Sequence, residues 1–144
     1  IFLKGKPPPY SKNRKNQQNG DNLGIIIKHK NNSKYVFYAP GIEELTTEIL
    51  NIIKESEYTL IDGTVWLATE LIDLDISNKT SYDMGHIPVS EAIKYYNNNN
   101  LCKKIYLIHI NNTNPILDNN SKEYKILKEN KINITQDNLE LIIL

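Results

Sequence analysis

Apolar residues in this chain come in short runs, each closed by a polar or asparagine-rich stretch. Leu23 to His29, with Ile25, Ile26 and Ile27 in a row, predicts a strand. The turn signal Asn31-Asn32-Ser33 separates it from Tyr35-Val36-Phe37-Tyr38, which reads as a partner strand ended by Pro40-Gly41. Ile42, Leu45, Ile49, Ile52 and Ile53 recur at helical spacing and predict a helix over 42–55. Glu43 and Glu44 sit in its first turn, at the positive end of the dipole. Tyr58 to Asp62 reads as a short strand ending on a carboxylate, 67–74 as a short helix and 75–88 as a loop. Val89, Ala92, Ile93 and Tyr96 give the apolar face of a helix over 89–97. A strand over 104–110 ends at His109, and a loop covers 111–120. Tyr124, Ile126 and Leu127 predict a helix at about 121–130, and short strands close the chain at 132–134 and 139–143.

Strands that alternate with helices argue for a layered α/β fold. Residues 1–22 stand apart as a Pro- and Asn-rich arm or loop, because Pro7-Pro8-Pro9 lacks backbone donors and favours an extended shape. The folded unit then spans 23–144.

Composition narrows the class. The length of 144 residues suits one domain, and the formal net charge is zero with both signs interspersed. No basic stripe suggests nucleic acid, and no apolar run approaches the ~20 residues of a membrane span. The single cysteine, Cys102, allows no intrachain disulfide and reads as a small core residue, in keeping with a cytoplasmic location. The chain begins Ile1-Phe2-Leu3-Lys4, which is not a signal peptide; it reads as a processed terminus or a piece of a longer protein.

Candidate chemistry clusters just after strand ends, where layered α/β folds build their sites. In Asp62-Gly63-Thr64, a carboxylate, a tight turn and a hydroxyl fall together, although an Asp here also serves as a local cap. In Met84-Gly85-His86-Ile87-Pro88, a histidine precedes a helix, either as a solvent-facing residue or as a proton-transfer or substrate-binding imidazole. In His109-Ile110-Asn111-Asn112-Thr113-Asn114-Pro115, a histidine at a strand end is placed rigidly enough for a metal ligand, with a core histidine as the alternative. His29 lies between lysines and reads as surface. No HxH, HExxH or HxxxH pattern occurs, so the chain offers too few local ligands for a metal centre of its own.

Taken together, in this order, these segments resemble the PqqB family (pyrroloquinoline quinone, PQQ, biosynthesis protein B) of the metallo-β-lactamase-fold superfamily. Pro8-Pro9-Tyr10-Ser11 with Arg14, Phe37-Tyr38-Ala39-Pro40-Gly41, Leu60 to Trp66, Asp83-Met84-Gly85-His86 and Leu107 to Leu117 carry the likeness, over about residues 7–144. The resemblance covers only the C-terminal portion of the family's chain and implies half of an αββα sandwich. The family's Asp-x-Asp-His cluster and its Cys-rich zinc-binding segment are absent here.

Several expectations follow from that likeness. His109 matches the last metal-ligand position. Ribonuclease Z-like relatives carry Gly-Asp-Thr where Tyr38-Ala39-Pro40-Gly41 stands; the missing carboxylate implies one metal, iron or zinc, held mostly by residues of the missing N-terminal half. Asp62 and His86 match a carboxylate–histidine pair of the same relatives, so they are expected within hydrogen-bonding reach as the catalytic pair. Trp66, Tyr38, Asn111 and Asn112 are candidates to line the substrate pocket, with Trp66 equally a core residue and the two amides equally ties of their own loop. The implied function is a step of PQQ biosynthesis: iron-dependent hydroxylation of a tyrosine in a small-molecule or dipeptide, Glu-Tyr-derived precursor. The alternatives are a carrier moving PQQ or its precursor to the periplasm, and an inactive fragment. The implied partners are the precursor, the missing N-terminal half and a second copy in a homodimer.

Overall fold

The computed structural model describes residues 1–7, 11, 17–18 and 20–143. Pro8, Pro9, Tyr10 and Arg14, which carry part of the likeness, lie outside the described residues. Among the described residues, five strands form one mixed sheet in sequential order: β1 (Ile25–Lys28), β2 (Tyr35–Ala39), β3 (Tyr58–Asp62), β4 (Ile105–Ile108) and β5 (Asn133–Ile134). β1 and β2 form an antiparallel hairpin, and β2, β3, β4 and β5 run parallel. The parallel connections carry the helices α1 (Thr47–Glu55), α2 (Glu70–Asp73), α3 (Ser81–Met84), α4 (Val89–Asn98) and α5 (Lys122–Glu129), as parallel pairing requires.

Strand alternation sorts the sheet into two unlike faces. Tyr35, Phe37, Ala39, Thr59, Ile61, Ile105 and Leu107 are buried. All but Thr59 join Ile49 and Ile53 of α1, Val89, Ala92, Ile93 and Tyr96 of α4 and Leu127 of α5 in one core cluster. Truncating a fully buried member such as Phe37 to Ala would cost about 3–5 kcal/mol. The opposite face carries Val36, Tyr38, Leu60 and Tyr106, all half-buried, and β1 adds Ile25 and Ile27, both more than half exposed. Among the described residues, no helix is long and apolar enough to cross a membrane.

Several elements differ from expectation for identifiable reasons. The first helix starts at Thr47 rather than 42, because Thr46 caps it by accepting the Ile49 N–H. Upstream, the N–H groups of Ile42 and Glu43 are committed to the Asp62 carboxylate and the Lys4 carbonyl. The 67–74 helix contracts to α2. The 75–88 loop contains α3, which Thr80 and Asp83 close with a reciprocal capping box. β4 stops at Ile108, one residue before His109, because His109 takes φ 54, which no strand residue adopts. The expected 139–143 strand does not form: it follows Asn138 at φ 65 and has no ladder partner among the described residues.

Residues 1–4 of the expected arm are packed against the sheet. Phe2 bridges Leu23, the Leu3 side chain is buried, and the Leu3 and Gly24 N–H groups bond the Asn22 and Ile1 carbonyls.

Candidate metal and proton-handling site

β3 delivers Asp62 to its own C-terminal end, where the carboxylate is 1% exposed. Its Oδ2 accepts the Ile42 N–H at 2.9 Å and meets His86 Nδ1 at 2.6 Å. Its Oδ1 accepts the Thr64 N–H at 2.9 Å and the Thr64 hydroxyl at 2.6 Å. A carboxylate offers about four acceptor positions, and all four are used. Gly63 makes the turn that follows. Its N–H bonds the Ile108 carbonyl at 2.8 Å, and a Cβ there would lie 3.0 Å from that of Leu107 and 3.1 Å from the Ile108 oxygen.

His86 arrives through α3. Gly85 ends that helix at φ 90, a left-handed angle that favours glycine, and a Cβ there would stand 2.4 Å from the Lys6 nitrogen. The His86 N–H bonds the Ser81 carbonyl and the Ile87 N–H bonds the Ile42 carbonyl, which fixes the ring over Asp62. His109 follows β4 in the left-handed region, a conformation that costs a non-glycine residue roughly 1–2 kcal/mol. Such strain persists only where surrounding bonds impose it. Here the Asn111 N–H bonds the Thr64 carbonyl at 3.0 Å, so the two site loops are sewn together. The His86 and His109 rings stack with centroids 5.3 Å apart and planes 22° apart.

The donor atoms of Asp62, His86 and His109 all lie within 4.8 Å of one another. Imidazole is a ligand that suits iron or zinc, and a buried carboxylate beside it can hold the ring in place, so the residues present fit a transition-metal ion chemically. The expected approach of Asp62 to His86 is observed, and His109 joins them, although the sequence reading separated a ligand from a catalytic pair. The Thr64 hydroxyl, noted in the Asp62-Gly63-Thr64 turn but given no role of its own, lies 2.8 Å from His109 Nδ1 and 3.2 Å from His86 Nδ1. Its position two residues after Asp62 was the available signal.

The expected substrate-binding residues occupy different settings. Trp66 is 8% exposed and packs in the core cluster. Tyr38 is half-buried on the more open face of β2, in register with Leu60. The Asn111 amide donates to the Thr113 hydroxyl at 2.8 Å, within its own loop, and Asn112 is exposed. The sequence reading also missed Glu70. Its buried carboxylate accepts the Trp66 N–H at 2.6 Å and the Thr113 hydroxyl at 2.7 Å, bracing the loop after β3 against the loop after β4. Buried Asn114 adds a second brace, donating to the Gly63 carbonyl at 2.9 Å.

A separate cleft of about 360 Å³ lies between Lys4, Glu43, Glu44, Tyr82, Glu91 and Tyr95. The Tyr82 hydroxyl donates to Glu91 at 2.6 Å, and burial, reinforced by that carboxylate, pushes its pKa up to about 12.

A mixed sheet with its site at the C-terminal ends of β3 and β4 defines a class, and comparison with known proteins agrees. The sequence pattern described as the Beta-lactamase superfamily domain matches residues 3–110, and the chain belongs to that family. Its homologues are proteins named Coenzyme PQQ synthesis protein B. The one from Acinetobacter baumannii (strain ACICU) is 37% identical over 144 residues, covering 98% of this chain and 47% of the relative. That from Methylococcus capsulatus is likewise 37% identical, with the same coverage. The crystal structure of Zn²⁺-bound PqqB from Methylobacterium extorquens superposes with a TM-score of 0.81 at 25% identity, covering 98% of this chain and 48% of that one. The fold is therefore a metallo-β-lactamase-like α/β fold, and the chain spans about half the length of the curated relatives it matches.

Proposed function

We propose that this chain supplies one side of a metal centre in an enzyme of PQQ biosynthesis. The reading is that the reaction is iron-dependent hydroxylation of a tyrosine in a Glu-Tyr-derived precursor. The observation that carries the metal centre is the convergence of Asp62, His86 and His109 within 4.8 Å, in a chain homologous to Coenzyme PQQ synthesis protein B. His109 provides one ligand. Asp62 holds His86, and the pair orients or moves a proton next to that ligand. A bound iron ion would supply the activation of dioxygen.

The chemistry balances with one oxygen atom of O₂ entering a ring C–H bond as C–OH. The other leaves as water, with two electrons and two protons from a small-molecule reductant. A centre of this kind takes three or more protein ligands, so the remainder come from a second half such as the relatives carry. The half-buried face of Val36, Tyr38, Leu60 and Tyr106, with Ile25 and Ile27 beside it, is where that half packs.

The test incubates the full-length gene product with Fe²⁺, O₂, ascorbate and a Glu-Tyr dipeptide. Mass spectrometry of the products should show the hydroxylated tyrosine. Its absence, alongside a working relative, overturns the enzyme; tight binding of PQQ without turnover instead supports the carrier role.

A further inference from the structure

A hydroxyl group has one proton to give and two lone pairs. The Thr64 hydroxyl has three polar neighbours to match: Asp62 Oδ1 at 2.6 Å, His109 Nδ1 at 2.8 Å and His86 Nδ1 at 3.2 Å. Its proton goes to the carboxylate, which can only accept. Toward both imidazoles the oxygen is then an acceptor, so each Nδ1 must carry a hydrogen. The same follows independently for His86 from Asp62 Oδ2, 2.6 Å from its Nδ1. A ring with a bare Nδ1 would set lone pair against lone pair at these distances. Since all four acceptor positions of Asp62 are taken by Ile42, Thr64 and His86, the carboxylate has none left for a metal ion.

We infer that Thr64 is a positioning residue that keeps a hydrogen on Nδ1 of His109 and of His86, so that the nitrogen His109 turns to a metal is Nε2 and the carboxylate of the site is not a ligand. Asp62 is thereby the anchor behind the ligands rather than a ligand, the carboxylate–histidine–metal order in which outer partners fix ring orientation and basicity. The metal part of this statement rests on the reading given under Proposed function; the tautomers do not.

The experiment is ¹⁵N-detected NMR of the imidazoles in the metal-free full-length protein, with Fe²⁺ and Zn²⁺ titrations alongside. In the wild type both rings should show a protonated Nδ1, and a bare Nδ1 on either ring overturns the inference. Thr64→Ser keeps the hydroxyl and should keep both tautomers and the metal affinity. Thr64→Val should admit the Nε2–H form of His109 and weaken metal binding by roughly 10–100-fold. An unchanged His109 tautomer in Thr64→Val overturns the inference; if that variant fails to fold, the wild-type and Thr64→Ser spectra decide. Wild-type protein with both Nδ1–H tautomers but no metal binding overturns the metal centre and leaves the role of Thr64 standing.

Discussion

The side chains of Asp62 and His86, 24 positions apart, meet with Oδ2 and Nδ1 separated by 2.6 Å. Asp62 reaches that point on a strand, and His86 by way of a one-turn helix and a left-handed glycine. The contact therefore depends on how two separately built segments are held. Each holding device can be tested by itself.

Asp62→Asn replaces an acceptor with a group that must turn an NH₂ toward two existing donors. Buried donors are left unmatched, at a cost of about 1–3 kcal/mol. The midpoint of urea unfolding should fall accordingly, with the slope unchanged. A midpoint equal to wild type would show that the carboxylate does not organise the site.

Gly85→Ala should be worse than its size suggests. The residue sits at φ 90, and the new Cβ would meet the Lys6 nitrogen at 2.4 Å. The backbone strain alone is worth about 1–3 kcal/mol. Denaturant unfolding should show at least that loss, and the His86 ring signals should broaden or move because its anchor has shifted.

His109 pays for its position with a left-handed backbone. His109→Ala loses the Thr64 contact and keeps the strain, whereas His109→Gly loses the same contact and relieves it. The glycine variant should be more stable than the alanine variant by roughly 1 kcal/mol. Both should lose metal affinity equally, as isothermal titration with Zn²⁺ would show. An alanine variant as stable as the glycine variant would mean that the left-handed geometry is not imposed.

Tyr82 tests a different region. Burial first, and the Glu91 carboxylate second, raise its pKa to about 12 from the ordinary 10. The folded state then holds a proton that the unfolded state has released, so stability falls as pH rises. The Tyr82 contribution is complete below about pH 10 and is lost as pH climbs through about 12. Ultraviolet titration of wild type minus Tyr82→Phe should show one tyrosinate appearing near pH 12; appearance near 10 would mean that neither the burial of Tyr82 nor its Glu91 bond persists.

The apolar pattern alone places the hairpin, β3, β4, α4 and α5, because their periods of two and 3.6 are written in residues such as Phe37, Ile61, Ala92 and Leu127. It also marks the three segments that build the site, since an Asp or His beside a strand end or a glycine turn is a local feature. The start of α1 was less legible. The Thr46 cap is readable in sequence, but the donation of the Ile42 N–H to Asp62 is not. The 139–143 segment has the composition of a strand, yet strands exist only when paired, and pairing is a property of neighbours.

Tertiary structure decided the rest. Sequence placed Asp62, Thr64, His86 and His109 on three separate segments, and only the parallel pairing of β3 with β4 and the packing of α3 beside them brought the four together. Trp66 reads equally as a pocket or a core residue from sequence, and the fold packs it in the core. Sequence puts the Thr64 hydroxyl beside Asp62 but not beside the two histidines; its role comes from what surrounds it. Hydrophobic periodicity specifies elements because burial acts on each residue, whereas a site is specified by distances between residues far apart in the chain, and those exist only once the core has closed.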